Sequence, residues 1–371
     1  MIDDNKYMVC VACFTYNHAP FIENALNSFS MQKTSFPYIC CIIDDASNDG
    51  EIEIIRKYVK CNFNIDDSVS KYENTEDYQI LFAQHKNNNN CFFVVYFLNY
   101  NHYQRKKTKS EYLNRWIRKS SYYTCCEGDD YWTTPIKLQK QVDFMENHPD
   151  YSMCHADALF YVYEKNWNKG RIGLIHSKAK SFDSPDRKQM FYKILTGDIP
   201  GIVTCTACVR ADYYINRIPN NKQFMMGDKP LWLDMSQMGR VKYFDEVFGV
   251  YVKHQGSATR TADTRRKFTF NAHEMKIYYC QKYNYSIPDR IIKMYENGYL
   301  ALLFDGIEYP ILEIPQLDNL RRRVRRIKES KAYEKKERIA LSLFKRYTLI
   351  REKFRIVYLY VINLIWRIFK F

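Results

Sequence analysis

Near its start the chain alternates short, wholly apolar runs with segments of helical spacing, and few folds accept that order. Tyr7 to Phe14 is an apolar run bounded by a turn, which predicts a buried strand. Ala19 to Gln32 then places Phe21, Ile22, Ala25, Leu26 and Phe29 on one helical face, with Pro20 suited to the first turn. Tyr38 to Ile43 is a second apolar run, and Ile52 to Val59 a second helix. Strand, helix, strand, helix implies a parallel sheet with right-handed crossovers, an α/β fold. Residues 62–90 are polar and read as a surface excursion. Cys91 to Leu98 and Tyr122 to Cys126 supply two more strands, with a helix over Tyr112 to Ile117 between them. Pro135 opens a helix that runs through Met145 and closes before Pro149. Further on, strands are expected near 152–163, 203–209 and 241–252, and helices near 186–196, 229–238, 265–283 and 288–304.

Charge is distributed unevenly. The formal net charge is +14, yet residues 320–371 hold 17 Lys/Arg against 4 Asp/Glu, so the body before them is nearly neutral. A body that gripped nucleic acid would carry that charge itself, so no nucleic-acid partner is expected. The tail has helical periodicity. Its last stretch, Ile356 to Trp366, is apolar but only 11 residues long, whereas a spanning helix needs about 20. Tyr358, Tyr360, Trp366, Arg367, Phe369 and Lys370 interleave ring and charge, the make-up of a helix lying on an anionic membrane surface. A helix packed on its own domain or on a partner subunit is the other reading. The acidic, polar start, Met1 to Lys6, lacks the features of a secretion signal, and the 12 Cys sit mostly in apolar runs. Reduced thiols and a cytoplasmic location, peripheral on the inner face of the plasma membrane, are expected. Cys10/Cys13 and Cys205/Cys208 have C-x-x-C spacing but fall in predicted strands, where i and i+3 point to opposite faces, which argues against zinc.

Ligands of an open parallel sheet bind beyond the carboxyl ends of its strands, and three clusters stand at or after such ends. The first is Thr15-Tyr16-Asn17 together with Asp44-Asp45. A ring can stack on a base and a carboxylate can accept from a base N–H, although Asp44 to Gly50 is also ordinary loop chemistry. The second is Glu127-Gly128-Asp129-Asp130. Three acids at a buried strand end repel one another, and a divalent cation with a diphosphate relieves the repulsion. The third is Gly227-Asp228 with the later His254. Asp228 suits a general base and His254 a metal or phosphate contact. Each also has a structural alternative, a helix cap for Asp228 and a core histidine for His254.

Taken in order, Phe14-Thr15-Tyr16-Asn17, Ile42-Ile43-Asp44-Asp45-Ala46-Ser47, Glu127-Gly128-Asp129-Asp130-Tyr131-Trp132 and Gly227-Asp228 with His254 resemble glycosyltransferase family 2. The likeness is clear over about residues 7–150, looser over 200–257, and does not extend to the tail. It implies the A-type glycosyltransferase fold (GT-A): a Rossmann-like nucleotide-binding sheet with helices on both faces, here followed by a mostly helical basic extension. It implies a catalytic domain over 1–260, with a donor half to about 150 and an acceptor half over 151–260. A helical extension over 261–319 and a basic amphipathic tail over 320–371 follow. By the same resemblance Thr15, Tyr16, Asn17, Asp45, Glu127 and Asp129 bind the donor, and Asp129, Asp130 and His254 hold Mg²⁺ or Mn²⁺. Asp228 falls where such enzymes place the catalytic base. Two departures stand out: Phe14 where members often carry Pro, and Glu127 in place of the first Asp of the D-x-D motif. A third is Gly227 before Asp228, where Glu is common.

The expected activity is inverting transfer of a sugar from a nucleoside-diphosphate sugar, UDP-linked by resemblance, to a hydroxyl of a glycan or lipid-linked acceptor in surface polysaccharide or glycoconjugate synthesis. A non-catalytic scaffold that binds nucleic acid or membrane through the tail is the competing class. The near-neutral body and the acidic clusters argue against it. A sugar nucleotidyltransferase would open with a glycine-rich phosphate loop after the first strand, and residues 14–20 contain no glycine.

Overall fold

The computed structural model describes residues 5–65, 71–163, 170, 172–175, 185–197, 201–254, 262–304 and 306–329. At its centre lie four parallel strands: β1 (Tyr7–Thr15), β2 (Tyr38–Asp44), β5 (Cys91–Leu98) and β6 (Ser120–Cys125). They are ordered β5-β2-β1-β6, with registers that run from Val9↔Tyr38 to Thr15↔Asp44 and from Tyr38↔Cys91 to Asp44↔Phe97. All seven residues of β2 are buried, as a strand covered on both faces requires. Helices α1 (Ile22–Ser30), α2 (Glu51–Asn62) and α3 (Ser110–Ile117) lie in the connections between these strands, and α4 (Lys137–Asn147) follows the last of them. Ile22, Ala25, Leu26 and Phe29 of α1 turn their apolar stripe onto the sheet, where Phe29 meets Trp132 at a ring separation of 5.0 Å. Parallel strands joined this way end at one edge, so Thr15, Asp44 and the residues after Cys125 come together there.

This is the α/β architecture expected from the sequence, and the sheet continues on both sides. The polar excursion over 62–90 proves to contain two strands. β3 (Lys71–Asn74) and β4 (Tyr78–Gln84) pair antiparallel with each other, and β4 pairs with β5. Ile80 to Ala83 is buried there by sheet neighbours, a tertiary effect on a run too short to signal itself. On the other side the order continues β6-β10-β8-β11-β7, through β7 (Tyr131–Trp132), β8 (Tyr151–Val162), β10 (Cys208–Arg210) and β11 (Arg240–Lys253), while β9 (Ile172–Ile175) pairs with β8. Around them lie α5 (Arg187–Thr196), α6 (Ala211–Asn216) and α7 (Asp228–Met238).

The strand expected over 203–209 is instead a 3₁₀ turn, Thr204–Thr206, followed by the three residues of β10. Thr206 closes that turn: its N–H and its hydroxyl both donate to the Val203 carbonyl, at 2.9 and 2.8 Å. Cys205 therefore leaves the strand, and its thiol pairs with Cys126 while that of Cys208 pairs with Cys154.

By its contacts the chain divides into two compact units, residues 1–222 with 227–257 and residues 223–226 with 258–371. The described part of the second is helical: α8 (Ala262–Lys282), α9 (Asp289–Phe304) and α10 (Asp318–Glu329). Phe270 of α8 packs on Tyr295 of α9 at 5.0 Å. The first turns of the basic tail are part of this packing, since Leu320, Val324 and Ile327 on one face of α10 are buried. The membrane-surface segment expected at Ile356 to Trp366 lies outside the described residues. Among the described residues no helix is long and apolar enough to cross a membrane.

Candidate active site

The loop after β1 is built by side chains that replace missing backbone pairing. Asn17 adopts a left-handed conformation, φ 56°, which Asn tolerates better than most residues. Its backbone N–H donates to Ser47 Oγ at 2.9 Å, and its side-chain oxygen accepts from Asn48 N–H at 2.9 Å. Glu51, the first residue of α2, is fully buried beneath this loop. It accepts from His18 N–H at 2.9 Å, from Ser47 Oγ at 2.8 Å and from the Thr15 hydroxyl. Of the residues expected to bind a donor here, Thr15 is thus buried and internally bonded, Asn17 ties two loops together, and Tyr16 is 37% exposed at the strand edge.

At the end of β2 the two acids differ. Asp45 Oδ1 accepts from His102 N–H at 2.6 Å, and Oδ2 accepts from Tyr103 N–H at 3.2 Å and from Lys109 Nζ at 2.7 Å. Asp44 is fully buried and its Oδ1 accepts from Ser47 N–H at 3.1 Å, while its Oδ2 has no hydrogen-bond partner. Burial pushes the Asp44 carboxyl up to about 6, against the opposing pull of Ser47. A carboxyl whose pKa is higher in the folded than in the unfolded chain contributes most below its ordinary value of 3.8. That contribution is lost as pH rises, and the loss is complete above about 6. Asp44→Asn should therefore stabilise the protein by about 1–3 kcal/mol at pH 7.5 and by little at pH 3.5. Denaturant melts of both proteins at the two pH values check this, and equal differences at both would contradict it.

Beyond β6 the chain turns sharply over Glu127-Gly128-Asp129-Asp130. Cys126 N–H donates to Ala12 O and Gly128 N–H to Phe14 O, so this segment lies alongside β1. A Cβ on Gly128 would stand 2.1 Å from Thr15 Oγ1 and 3.1 Å from His18 Nδ1. Glycine is required for that approach. Asp129 Oδ2 lies 2.9 Å from His254 Nε2, and Asp129 Oδ1 is buried without a partner. The His18 ring meets the His254 ring edge-on at 5.6 Å, and Phe21 closes over His254 at 4.9 Å. One donor atom each from His18, Asp129 and His254 falls within 4.8 Å of the others. Burial lowers the pKa of His18, Asp129 opposing and His254 assisting.

Asp130 stands apart from this group. Its Oδ1 accepts from Val252 N–H at 2.9 Å, and burial first, then Cys205 and the neighbouring carboxylates, push its carboxyl well above the ordinary range. Glu127 opens to solvent on one side. Its carboxyl is pushed up to about 7 by the surrounding protein and by repulsion from Asp129 and Asp228, with Lys109 opposing. Asp228, exposed at the first turn of α7, is thereby placed within electrostatic reach of the acidic turn. Its own side chain accepts from Lys229 N–H at 2.7 Å.

The structure therefore brings together Asp129 and His254, adds His18, and leaves Asp130 on the backbone of β11. Reading the sequence missed His18, Glu51 and Lys109. His18 carried a usable signal, being a histidine in the loop directly after a predicted strand, whereas Glu51 looked like any acid opening a helix.

Residues 10–88 match the family model described as glycosyl transferase family 2. Uncharacterized proteins of Mycobacterium bovis and Mycobacterium tuberculosis are 31% identical over 152 residues, which is 41% of this chain and 35% of each relative. The matched stretch thus spans about a third of the curated relatives' own length. Among solved structures, S. aureus TarS 1–349 in complex with UDP-GlcNAc is 16% identical, with a TM-score of 0.46 over 81% of this chain and 73% of that one. The mannosyltransferase PcManGT of Pyrobaculum calidifontis, in complex with GDP-Man and Mn²⁺, is 12% identical, with a TM-score of 0.44 over 92% and 86%.

Proposed function

We propose, from the premise that residues 10–88 belong to glycosyltransferase family 2, that this chain moves a sugar from a nucleoside-diphosphate sugar to an acceptor hydroxyl with inversion. UDP is the nucleotide we expect, and a glycan or lipid-linked sugar the acceptor. The observation that carries the reading is Asp129 at the carboxyl edge of the sheet, with one oxygen on His254 and the other buried and unpartnered. A buried carboxylate oxygen without a donor is costly in the free protein and suits a cation.

The residues fit a divalent metal. Asp129 and His254 would hold Mg²⁺ or Mn²⁺, which when bound would offset the charge that grows on a leaving diphosphate, while Asp130 stays on the Val252 N–H. The chain's own groups do the rest. Tyr16 offers a ring face to the base and Asp45 a carboxylate to its N–H. Asp228 takes the proton of the acceptor hydroxyl as that oxygen bonds to the anomeric carbon and the bond from that carbon to the diphosphate oxygen breaks. The nucleoside diphosphate carries away the bonding pair, and attack from the opposite face inverts the centre.

A panel of nucleotide sugars, screened by thermal unfolding with and without Mn²⁺, tests the reading. A ligand present at 100 times its Kd stabilises the folded state by about 2.7 kcal/mol, so the true donor should raise Tm by several degrees, and more with metal. If no nucleotide or nucleotide sugar shifts Tm under either condition, the proposal is wrong.

A further inference from the structure

We propose that His18 is a metal ligand, and that the cation site is the two-imidazole, one-carboxylate set His18, Asp129 and His254, selective for transition-metal ions over Mg²⁺. This rests on the part of the preceding reading that places a cation at Asp129, and it reassigns the ligands. Three donor atoms converge within 4.8 Å. The 2.9 Å between Asp129 Oδ2 and His254 Nε2 is the spacing of two neighbouring ligands on one ion, since bonds of about 2.1 Å at right angles leave donors about 3 Å apart. An ion pair alone accounts for that contact but not for Asp129 Oδ1, which is buried with nothing to accept from.

The surroundings of His18 prepare it for the role. The Thr15 hydroxyl donates to the buried Glu51 carboxylate, so its oxygen is left to accept from His18 Nδ1–H, 3.2 Å away. That bond fixes the tautomer and leaves Nε2 with its lone pair. A metal-bound histidine is generally oriented in this way, by a hydrogen bond from its other nitrogen. Gly128 admits the arrangement because any side chain there would collide with Thr15 and crowd His18. Asp130 is held differently, by the Val252 N–H. Imidazole suits cobalt, zinc and iron, whereas Mg²⁺ takes oxygen ligands, so replacing a second carboxylate by a second imidazole moves the preference away from Mg²⁺.

The test uses the full chain stripped with EDTA and no nucleotide. Co²⁺ is titrated by its visible ligand-field absorption and by calorimetry, alongside Mg²⁺ and Mn²⁺. Co²⁺ is expected to bind at least tenfold more tightly than Mg²⁺. His18→Ala should weaken Co²⁺ at least tenfold and alter its spectrum, while Asp130→Asn changes the affinity less than threefold. If His18→Ala unfolds, His18→Asn is read instead, because its amide can still donate to Thr15 but is a poor ligand for Co²⁺. Wild-type affinity and spectrum in a folded His18 variant, or loss of binding in Asp130→Asn alone, would overturn the assignment. Because nucleotide is absent, either failure leaves sugar transfer to be judged by the nucleotide-sugar screen. A negative screen with a positive Co²⁺ titration would keep the site and reject the transferase.

Discussion

Asp129→Asn should cut metal-dependent turnover by at least 10²–10³-fold while leaving the metal-free protein as stable as before, or more so. The first half follows from charge: an amide offers a cation one neutral oxygen, and preorganised electrostatic groups at a site of developing charge are each worth about that factor. The second half follows from the crowding already present. Asp129 repels Glu127, whose carboxyl is pushed up partly for that reason, and the amide removes the repulsion without changing size. Turnover, the metal-induced rise in Tm and the metal-free Tm are therefore read together. A residue that served only as a structural partner of His254 would show the reverse pattern, with lower metal-free stability and an unchanged response to metal.

Asp228→Asn is expected to lower kcat by about 10²–10⁴-fold with little change in the donor KM, the range found when a positioned general base is removed. Its place supports the assignment: it is exposed on the first turn of α7 and close enough to Glu127 to raise that group's pKa. A carboxylate at a helix N-terminus also steadies the helix, so the variant should lose about 0.3–1 kcal/mol, far too little to explain the kinetic effect. Full turnover with the true donor and acceptor would show that the proton goes elsewhere.

The sheet could be read from the sequence wherever strands were buried on both faces. β1, β2 and β5 are unbroken apolar runs, and their helices show one apolar stripe each. What escaped was structure made by neighbours. Ile80 to Ala83 becomes a strand only because β5 offers an edge, and residues 204–206 turn only because Thr206 satisfies its hydroxyl on Val203 and Ala156. The candidate site divides in the same way. Asp129 and His254 lie 125 positions apart in sequence, and each was picked out from its own surroundings. His18 was not, because its significance depends on Glu51 and Thr15 holding its ring and on Gly128 leaving room. Asp130 looked equivalent to Asp129 in the sequence. The Val252 N–H makes them different, and that bond belongs to the pairing of β11 with the turn.

Asp45 meets three donors of its own chain, one of them the Lys109 ammonium, before any visitor arrives. A base N–H that reached this acid, as proposed above, would meet an Oδ2 already taken twice and an Oδ1 with one acceptor site left. One further bond to a carboxylate already shared with an ammonium gains little net free energy, so on that reading Asp45 would add little raw affinity for a nucleotide. What it would contribute is direction: the three internal donors hold the carboxylate in one orientation, so a base would have to approach from the side they leave open.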